Sequence, residues 1–173
     1  PLPKHIDEEK ILLAVNPNKD VDGFHPTNFG KMALNMKTFI PATPFGIMEL
    51  LKRYKIETSG KNTVVIGRSN IVGRPISILM NLKGNPGDST VTVVHSRTVN
   101  LESYTKNADI VVMAIGSAKF LKKEHLNDSK KQVVIDVGMN QDENGKLCGD
   151  ADFEVLKEHV AAITPAPGGV ETW

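Results

Sequence analysis

Thr63-Val64-Val65-Ile66-Gly67-Arg68-Ser69-Asn70-Ile71-Val72-Gly73-Arg74-Pro75 carries a buried-strand pattern straight into a glycine-punctuated turn and then into a helix. Val64, Val65 and Ile66 form a short β-branched apolar run, as a strand covered on both faces requires. Gly67 lets the chain turn sharply without a Cβ clash, and the mainly apolar run from Ile71 to Leu82 reads as a helix with Pro75 in its first turn. A helix starting there points unpaired N–H groups over the turn and favours an anion. Dinucleotide-binding turns carry three glycines as G-x-G-x-x-G, whereas here Gly67 and Gly73 are six apart and Ser69 takes the middle place, offering a hydroxyl instead of bare backbone. Taken alone, the loop fits an ordinary tight strand-to-helix turn equally well.

The chain beyond this turn repeats the layout. Thr90–His95, Asp109–Gly116 and Gln132–Gly138 are three more strand-like runs, each separated from the last by enough chain for a helix or compact crossover. Such alternation predicts an α/β fold, a Rossmann-like and mostly parallel sheet with helices on both faces. Right-handed crossovers bring the strand ends at Gly67, His95, Gly116 and Gly138 to one edge, where open α/β sheets bind ligands. Three of those ends carry glycine, which suits close approach of a flat ring or a phosphate and also suits turning alone. Helices are expected at Asp7–Val15, Pro44–Tyr54, Ile71–Leu82, Leu101–Asn107, Lys122–Asn127 and Asp152–His159.

The second strand bears on the cofactor. A free ribose 2′-hydroxyl is usually held by Asp or Glu at this strand's end, about 20 residues beyond the glycine turn. Asp88 precedes the strand and belongs to the opposite edge, while the end itself reads His95-Ser96-Arg97-Thr98, with Arg68 in the preceding turn. Two guanidiniums and two hydroxyls can pair with a 2′-phosphate that a carboxylate would repel, so NADP is predicted over NAD. The competing reading leaves Arg68 and Arg97 as solvated surface charges. His95 either packs over the cofactor or simply closes its strand.

Two loops flank the sheet. Asn18-Lys19-Asp20-Val21-Asp22-Gly23-Phe24-His25-Pro26 places two carboxylates in turn chemistry, and Ile163-Thr164-Pro165-Ala166-Pro167-Gly168-Gly169-Val170 is rich in Pro and Gly. Each is also explained by turn statistics or by a chain end losing order. With 173 residues and 40% hydrophobic content the chain can bury one substantial core, and 21 Lys+Arg against 20 Asp+Glu leave no basic excess for nucleic acid. No apolar run approaches the ~20 residues of a membrane span. Cys148 is alone, which favours a reducing compartment, and the five histidines lack metal-ligand spacing, so no metal is expected.

Together these segments closely resemble the methylenetetrahydrofolate dehydrogenase/cyclohydrolase family. The matching pieces are Pro1-Leu2-Pro3, Lys19–Gly23, Pro41-Ala42-Thr43-Pro44-Phe45-Gly46, Val65–Pro75, His95–Thr98, Asp136-Val137-Gly138, Gly149-Asp150 and Ile163–Val170, in family order over nearly the whole chain. The resemblance implies a folate cleft between a catalytic domain and a Rossmann-like cofactor domain, with NADP-dependent oxidation of 5,10-methylenetetrahydrofolate followed by hydrolysis to 10-formyltetrahydrofolate. It implies Asp22 on the pterin, with Pro167, Gly168, Gly169 and Val170 at the folate edge. For NADP it implies Thr43, Gly67, Arg68, Ser69, Ile71, Ser96, Arg97, Val137, Gly138 and Thr164, to which the reading of the strand ends adds His95, Thr98 and Gly116. The same likeness implies tetrahydrofolate substrates, a homodimer, a link to purine biosynthesis and a cytosolic or organellar location, read as cytoplasmic; charge balance and the short apolar runs lead to no expected nucleic-acid or membrane partner.

By that likeness, residues 1–40 are the tail of the folate-binding catalytic domain with its connection, and 41–173 the NADP-binding domain. The family's catalytic lysine and its tyrosine partner lie upstream of the segment matched by Pro1-Leu2-Pro3, so a fragment that binds NADP without turnover is expected. The readings from other classes are a related Rossmann dehydrogenase with a different substrate, such as shikimate or an amino acid, and a non-catalytic nucleotide-binding module.

Overall fold

The computed structural model describes residue 3 and residues 5–170. In chain order its elements are α1 (Glu8–Ala14), α2 (Pro26–Ala33), α3 (Ala42–Arg53), β1 (Asn62–Ile66), α4 (Gly73–Asn81), β2 (Thr90–Val94), α5 (Leu101–Thr105), β3 (Ile110–Met113), β4 (Val133–Asp136), β5 (Asn140–Gln141), β6 (Leu147–Cys148), α6 (Phe153–Leu156) and β7 (Ala162–Ile163), with a 3-10 turn at Lys123–His125. β2-β1-β3-β4-β7 form one sheet, parallel throughout, with Ile66 opposite both Val94 and Met113, and Met113 opposite Asp136. β5 and β6 pair apart from it as an antiparallel hairpin.

Strand alternation divides the core into two layers. Val65, Val112 and Ile135 face Ile47, Leu50 and Leu51 of α3 and Ile76 and Met80 of α4. Val64, Ile66, Val111, Met113 and Val134 face the other way, onto Leu121, Leu126 and Leu156 of α6. Ile47, Leu51, Ile76 and Met80 are fully buried, and burial of such side chains stabilises the fold by about 1.5–3 kcal/mol each. α3 runs down its face and delivers the chain to the start of β1, so its first turn, with Thr43, stands at the carboxyl edge of the sheet.

Five of the six expected helices occur, in shortened or shifted form. Asp7 caps α1 by accepting from the Lys10 N–H at 3.2 Å. The segment expected as a helix at Lys122–Asn127 is only the 3-10 turn, because the His125 ring accepts from the Lys122 N–H at 3.0 Å and the chain becomes extended at Leu126. The segment at Asp152–His159 is cut to the four residues of α6, and the run Asp109–Gly116 holds strand geometry only to Met113. Sequence periodicity misses α2, the β5–β6 hairpin and β7. α2 has few apolar residues and is set by Pro26 in its first turn and by the His25 ring, which accepts from the Thr27 N–H at 3.1 Å. β7 is two residues long and exists only through its pairing with β4.

Candidate functional site

Parallel strands place all their carboxyl ends in one row. Following the strand order, the row presents His95–Thr98, then Gly67–Ile71, Gly116, Val137–Gly138 and Thr164–Gly169. Four strand spacings of ~4.8 Å make this rim roughly 19 Å long. The chain leaves β1 towards β2 and returns on the other side to β3, so the switch point of the sheet lies between Gly67 and Ala114. Gly67 has φ +119°, and a Cβ there would stand 2.2 Å from the Ala114 carbonyl oxygen. Glycine at this position is therefore required by the protein's own packing, whatever lies above it.

The β1–β2 half of the rim is cationic and open. The Gly67 N–H donates to the Val94 carbonyl at 2.9 Å, which continues the ladder past the strands and sets the two turns side by side. Arg68, Ser69, Ser96 and Arg97 are exposed, and neither guanidinium has a hydrogen-bond or ion-pair partner among the described residues. Asp88 lies at the far edge, as expected, where its carboxylate accepts from the Gly84 N–H at 3.2 Å. His95 closes a compact turn: its N–H donates to the Thr98 hydroxyl at 2.9 Å, its carbonyl accepts from the Thr98 N–H at 2.8 Å, and its ring Nδ1 accepts from the Arg97 N–H at 3.2 Å. That turn holds Ser96 and Arg97 outward.

The helix start differs from the expectation. α4 begins at Gly73, and its first N–H groups are already engaged: Ser69 Oγ accepts from Val72 at 3.2 Å and from Gly73 at 3.4 Å, and the Ser69 carbonyl accepts from Arg74 at 2.9 Å. Pro75 has no N–H. Ser69 thus caps α4, and an anion here would meet the loop N–H groups of Arg68–Ile71 and the serine's own hydroxyl proton. Ile71, outside the helix, is exposed.

The β3–β4 half is anionic and closed. Asp150 lies under the turn after β3 and accepts from Ile115 at 2.8 Å, Gly116 at 3.1 Å, Ser117 at 2.8 Å and the Asn140 side chain at 2.9 Å. Asp136, at the end of β4, accepts from the N–H groups of Gly138 at 2.9 Å, Asp150 at 3.0 Å and Ala151 at 2.7 Å. Burial pushes the Asp136 carboxyl up to about 6; the three N–H donors work against this, and the Asp150 charge adds to it. The Thr164 hydroxyl accepts from the Asp136 N–H at 2.8 Å and donates to its carbonyl at 3.2 Å, which stitches β7 to β4. A Cβ on Gly138 would lie 2.3 Å from Asp150 Oδ1, so that glycine too answers to internal packing, whereas Gly116 has open space above it. Val137 is half-buried and Val170 packs into the core below α3, leaving Pro167 and Gly168 exposed at the surface.

A third cluster meets the rim at the start of α3. A Cβ on Gly23 would lie 2.5 Å from the Phe39 carbonyl oxygen, so the Asp22 turn is packed against the residues just before Thr43. Asp22 itself is exposed, with Val21, Phe39 and Phe45 forming an exposed apolar fringe. Asp20 turns inward and accepts from His25 at 2.8 Å, Phe24 at 3.2 Å and the Asn28 side chain at 2.9 Å. Burial pushes its carboxyl up, but the Asn28 side chain and the His25, Phe24 and Gly23 N–H groups outweigh that and hold it below its ordinary value.

A family model described as the tetrahydrofolate dehydrogenase/cyclohydrolase NAD(P)-binding domain matches residues 41–172. The chain is 62% identical, over 176 residues, to the bifunctional protein FolD of Flavobacterium johnsoniae, in an alignment covering 98% of this chain and 59% of that protein. Its structure aligns with the bifunctional FolD methylenetetrahydrofolate dehydrogenase/cyclohydrolase of Campylobacter jejuni at a TM-score of 0.91 and 44% identity, over 99% of this chain and 59% of that one. A Trypanosoma brucei methylenetetrahydrofolate dehydrogenase-cyclohydrolase, solved with NADP cofactor and inhibitor, aligns at a TM-score of 0.86 and 38% identity, over 98% of this chain and 59% of that one. The chain thus spans 59% of the length of these relatives. The family match covers the main sheet and its entire rim, and this chain belongs to the tetrahydrofolate dehydrogenase/cyclohydrolase family.

Proposed function

We propose that the protein to which this chain belongs oxidises 5,10-methylenetetrahydrofolate with NADP to the methenyl compound and hydrolyses that product to 10-formyltetrahydrofolate, residues 41–173 forming the NADP-binding domain and residues 1–40 the tail of the folate-binding domain. One observation carries the cofactor assignment: Arg68 and Arg97 stand exposed on adjacent, in-register strand ends, with no partner among the described residues and no carboxylate in the segment His95–Thr98 that ends β2. The NADP-complexed Trypanosoma brucei relative supports it.

NADP, when bound, supplies the acceptor for the hydride that leaves the aminal carbon of the folate. Arg68, Ser69, Ser96 and Arg97 would hold the adenosine phosphates, with Gly67 and Ile71 shaping the turn and His95 and Thr98 keeping Ser96 and Arg97 in place. Gly116, Val137, Gly138, Thr43 and Thr164 would frame the ring end, Thr164 through the backbone it anchors. Asp22 would accept from the pterin ring N–H and amino group and so fix the register of the substrate, with Pro167 and Gly168 against its other side and the buried Gly169 and Val170 anchoring that loop from below. A homodimer, a cytoplasmic location and a role in one-carbon supply to purine biosynthesis complete the proposal. β2, at the sheet edge with Val93 exposed, offers a surface for the dimer. Among the described residues no helix is long and apolar enough to cross a membrane.

Calorimetric titration of the chain with NADP and then NAD tests the cofactor. NADP should bind more tightly, and Arg68→Ala with Arg97→Ala should weaken NADP far more than NAD. Equal losses for the two dinucleotides would defeat the assignment.

A further inference from the structure

The turn after β3 is built like an anion site and is already filled. Ile115, Gly116 and Ser117 direct three successive backbone N–H groups into one concavity, with Gly116 at φ +67°, and such nests bind phosphate in many proteins. Here the concavity holds the Asp150 carboxylate, which is fully buried and accepts all three N–H groups at 2.8–3.1 Å. The same carboxylate supports Gly138 from beneath and draws in the Asn140 side chain at 2.9 Å. Its own N–H is fixed by Asp136 at 3.0 Å. Asp150 thus shapes the turns after β3 and β4 together, on the side of the switch point away from Arg68 and Arg97.

We propose that Asp150 is a positioning residue that sets the direction of the dinucleotide along the rim: it supplies the anion that the β3 nest requires, denies the nest to phosphate, and fixes the surface on which the nicotinamide end lies. The proposal rests on the reading that a dinucleotide occupies this rim. A phosphate over the β3 turn would find its donors taken and a negative charge behind them. Over the β1 and β2 turns it would find two exposed guanidiniums with no partner among the described residues. The carbonyls of Ile115 and Gly116, which accept no hydrogen bond from the described residues, suit the amide N–H groups of a nicotinamide carboxamide.

The test compares NADP with adenosine 2′,5′-bisphosphate, which carries only the phosphate-bearing end, by calorimetry on the whole 173-residue chain. In Asp150→Asn the amide nitrogen cannot accept from the nest. NADP affinity should then fall about tenfold, the equivalent of one charge-assisted hydrogen bond, while the bisphosphate should change by less than about twofold, as expected of a site that loses no contact. Equal losses for both ligands, or none for either, would overturn the proposal. Failure of the unaltered chain to bind either ligand would instead remove the dinucleotide reading on which the proposal stands. Should Asp150→Asn fail to fold, Asn140→Ala decides: it removes a single half-buried donor to the same carboxylate, and it should weaken NADP but spare the bisphosphate. No selective loss there would overturn the proposal equally.

Discussion

At the ends of β1 and β2 the charged side chains, Arg68 and Arg97, stand in solvent with no partner among the described residues. At the ends of β3 and β4 the charged side chains are Asp136 and Asp150, 2% and 0% exposed, which accept three and four hydrogen bonds from the surrounding chain. One half keeps its charge available for a ligand; the other uses its charge to build the backbone that a ligand would touch. A buried carboxylate lacking such donors would be costly, whereas an exposed guanidinium costs little until something arrives to desolvate it. The difference separates stability from binding along one sheet edge, and substitutions on the two sides should separate the same way.

The largest effect is expected from Asp136→Ala. It leaves the buried N–H groups of Gly138, Asp150 and Ala151 without an acceptor, at about 1–3 kcal/mol each, so urea unfolding should show a loss of at least ~3 kcal/mol. Arg68→Ala and Arg97→Ala should each stay within about 0.5 kcal/mol of the unaltered chain in the same measurement. A stability loss at either arginine comparable to that at Asp136 would break the contrast.

Next in size is a pH effect confined to the anionic half. The Asp136 carboxyl titrates near 6 in the folded chain against an ordinary value of 3.8, so the folded state holds this proton more tightly. Stability from its protonated form is fully present below about pH 4 and is lost as pH rises to about 6, by up to ~3 kcal/mol for a shift of about two pH units. Asp136→Asn removes that titration. The stability difference between the unaltered chain and Asp136→Asn, followed by thermal unfolding from pH 4 to 7, should therefore shift against the unaltered chain as pH rises. A difference independent of pH would show that the three N–H donors hold the carboxyl near its ordinary value.

The open half is readable from sequence because its determinants are local: Gly67, Arg68 and Ser69 follow the run Val64–Ile66, and His95–Thr98 closes the second strand's run. β1, β3 and β4 are readable for the same reason, since strands covered on both faces are nearly continuous apolar runs, and the edge strand β2, with only Val94 buried, is readable from its β-branched run Thr90–Val94. The closed half is not. Asp150 lies 35 residues from Ile115, and nothing in the pair Gly149-Asp150 tells which N–H groups will converge on it. Only the position of Asp136, a carboxylate ending the apolar run Val133–Ile135, hints at a buried charge. Ser69 shows the opposite limit. Its place in the turn is evident, but its role as the cap of α4 depends on where that helix begins, and element boundaries are the part of a sequence reading that local propensity settles least well.

The same division between inward and outward charge extends, on a smaller scale, to the loop before α2. Asp20 and Asp22 are two residues apart, yet Asp20 is buried on three donors while Asp22 is exposed. Asp20→Asn keeps the shape but turns an amide nitrogen towards a donor, which should destabilise the chain by about 1–2 kcal/mol. Because hydrogen bonds hold the Asp20 carboxyl below its ordinary value, its contribution is present at neutral pH and is lost as pH falls below about 4. Asp22→Ala should leave unfolding unchanged within about 0.5 kcal/mol and, in the intact protein, should raise the KM for the folate substrate. If Asp22→Ala destabilised the chain as much as Asp20→Asn, its carboxylate would belong to the turn and not to the pterin, and the folate side of the proposed cleft would have to be sought elsewhere.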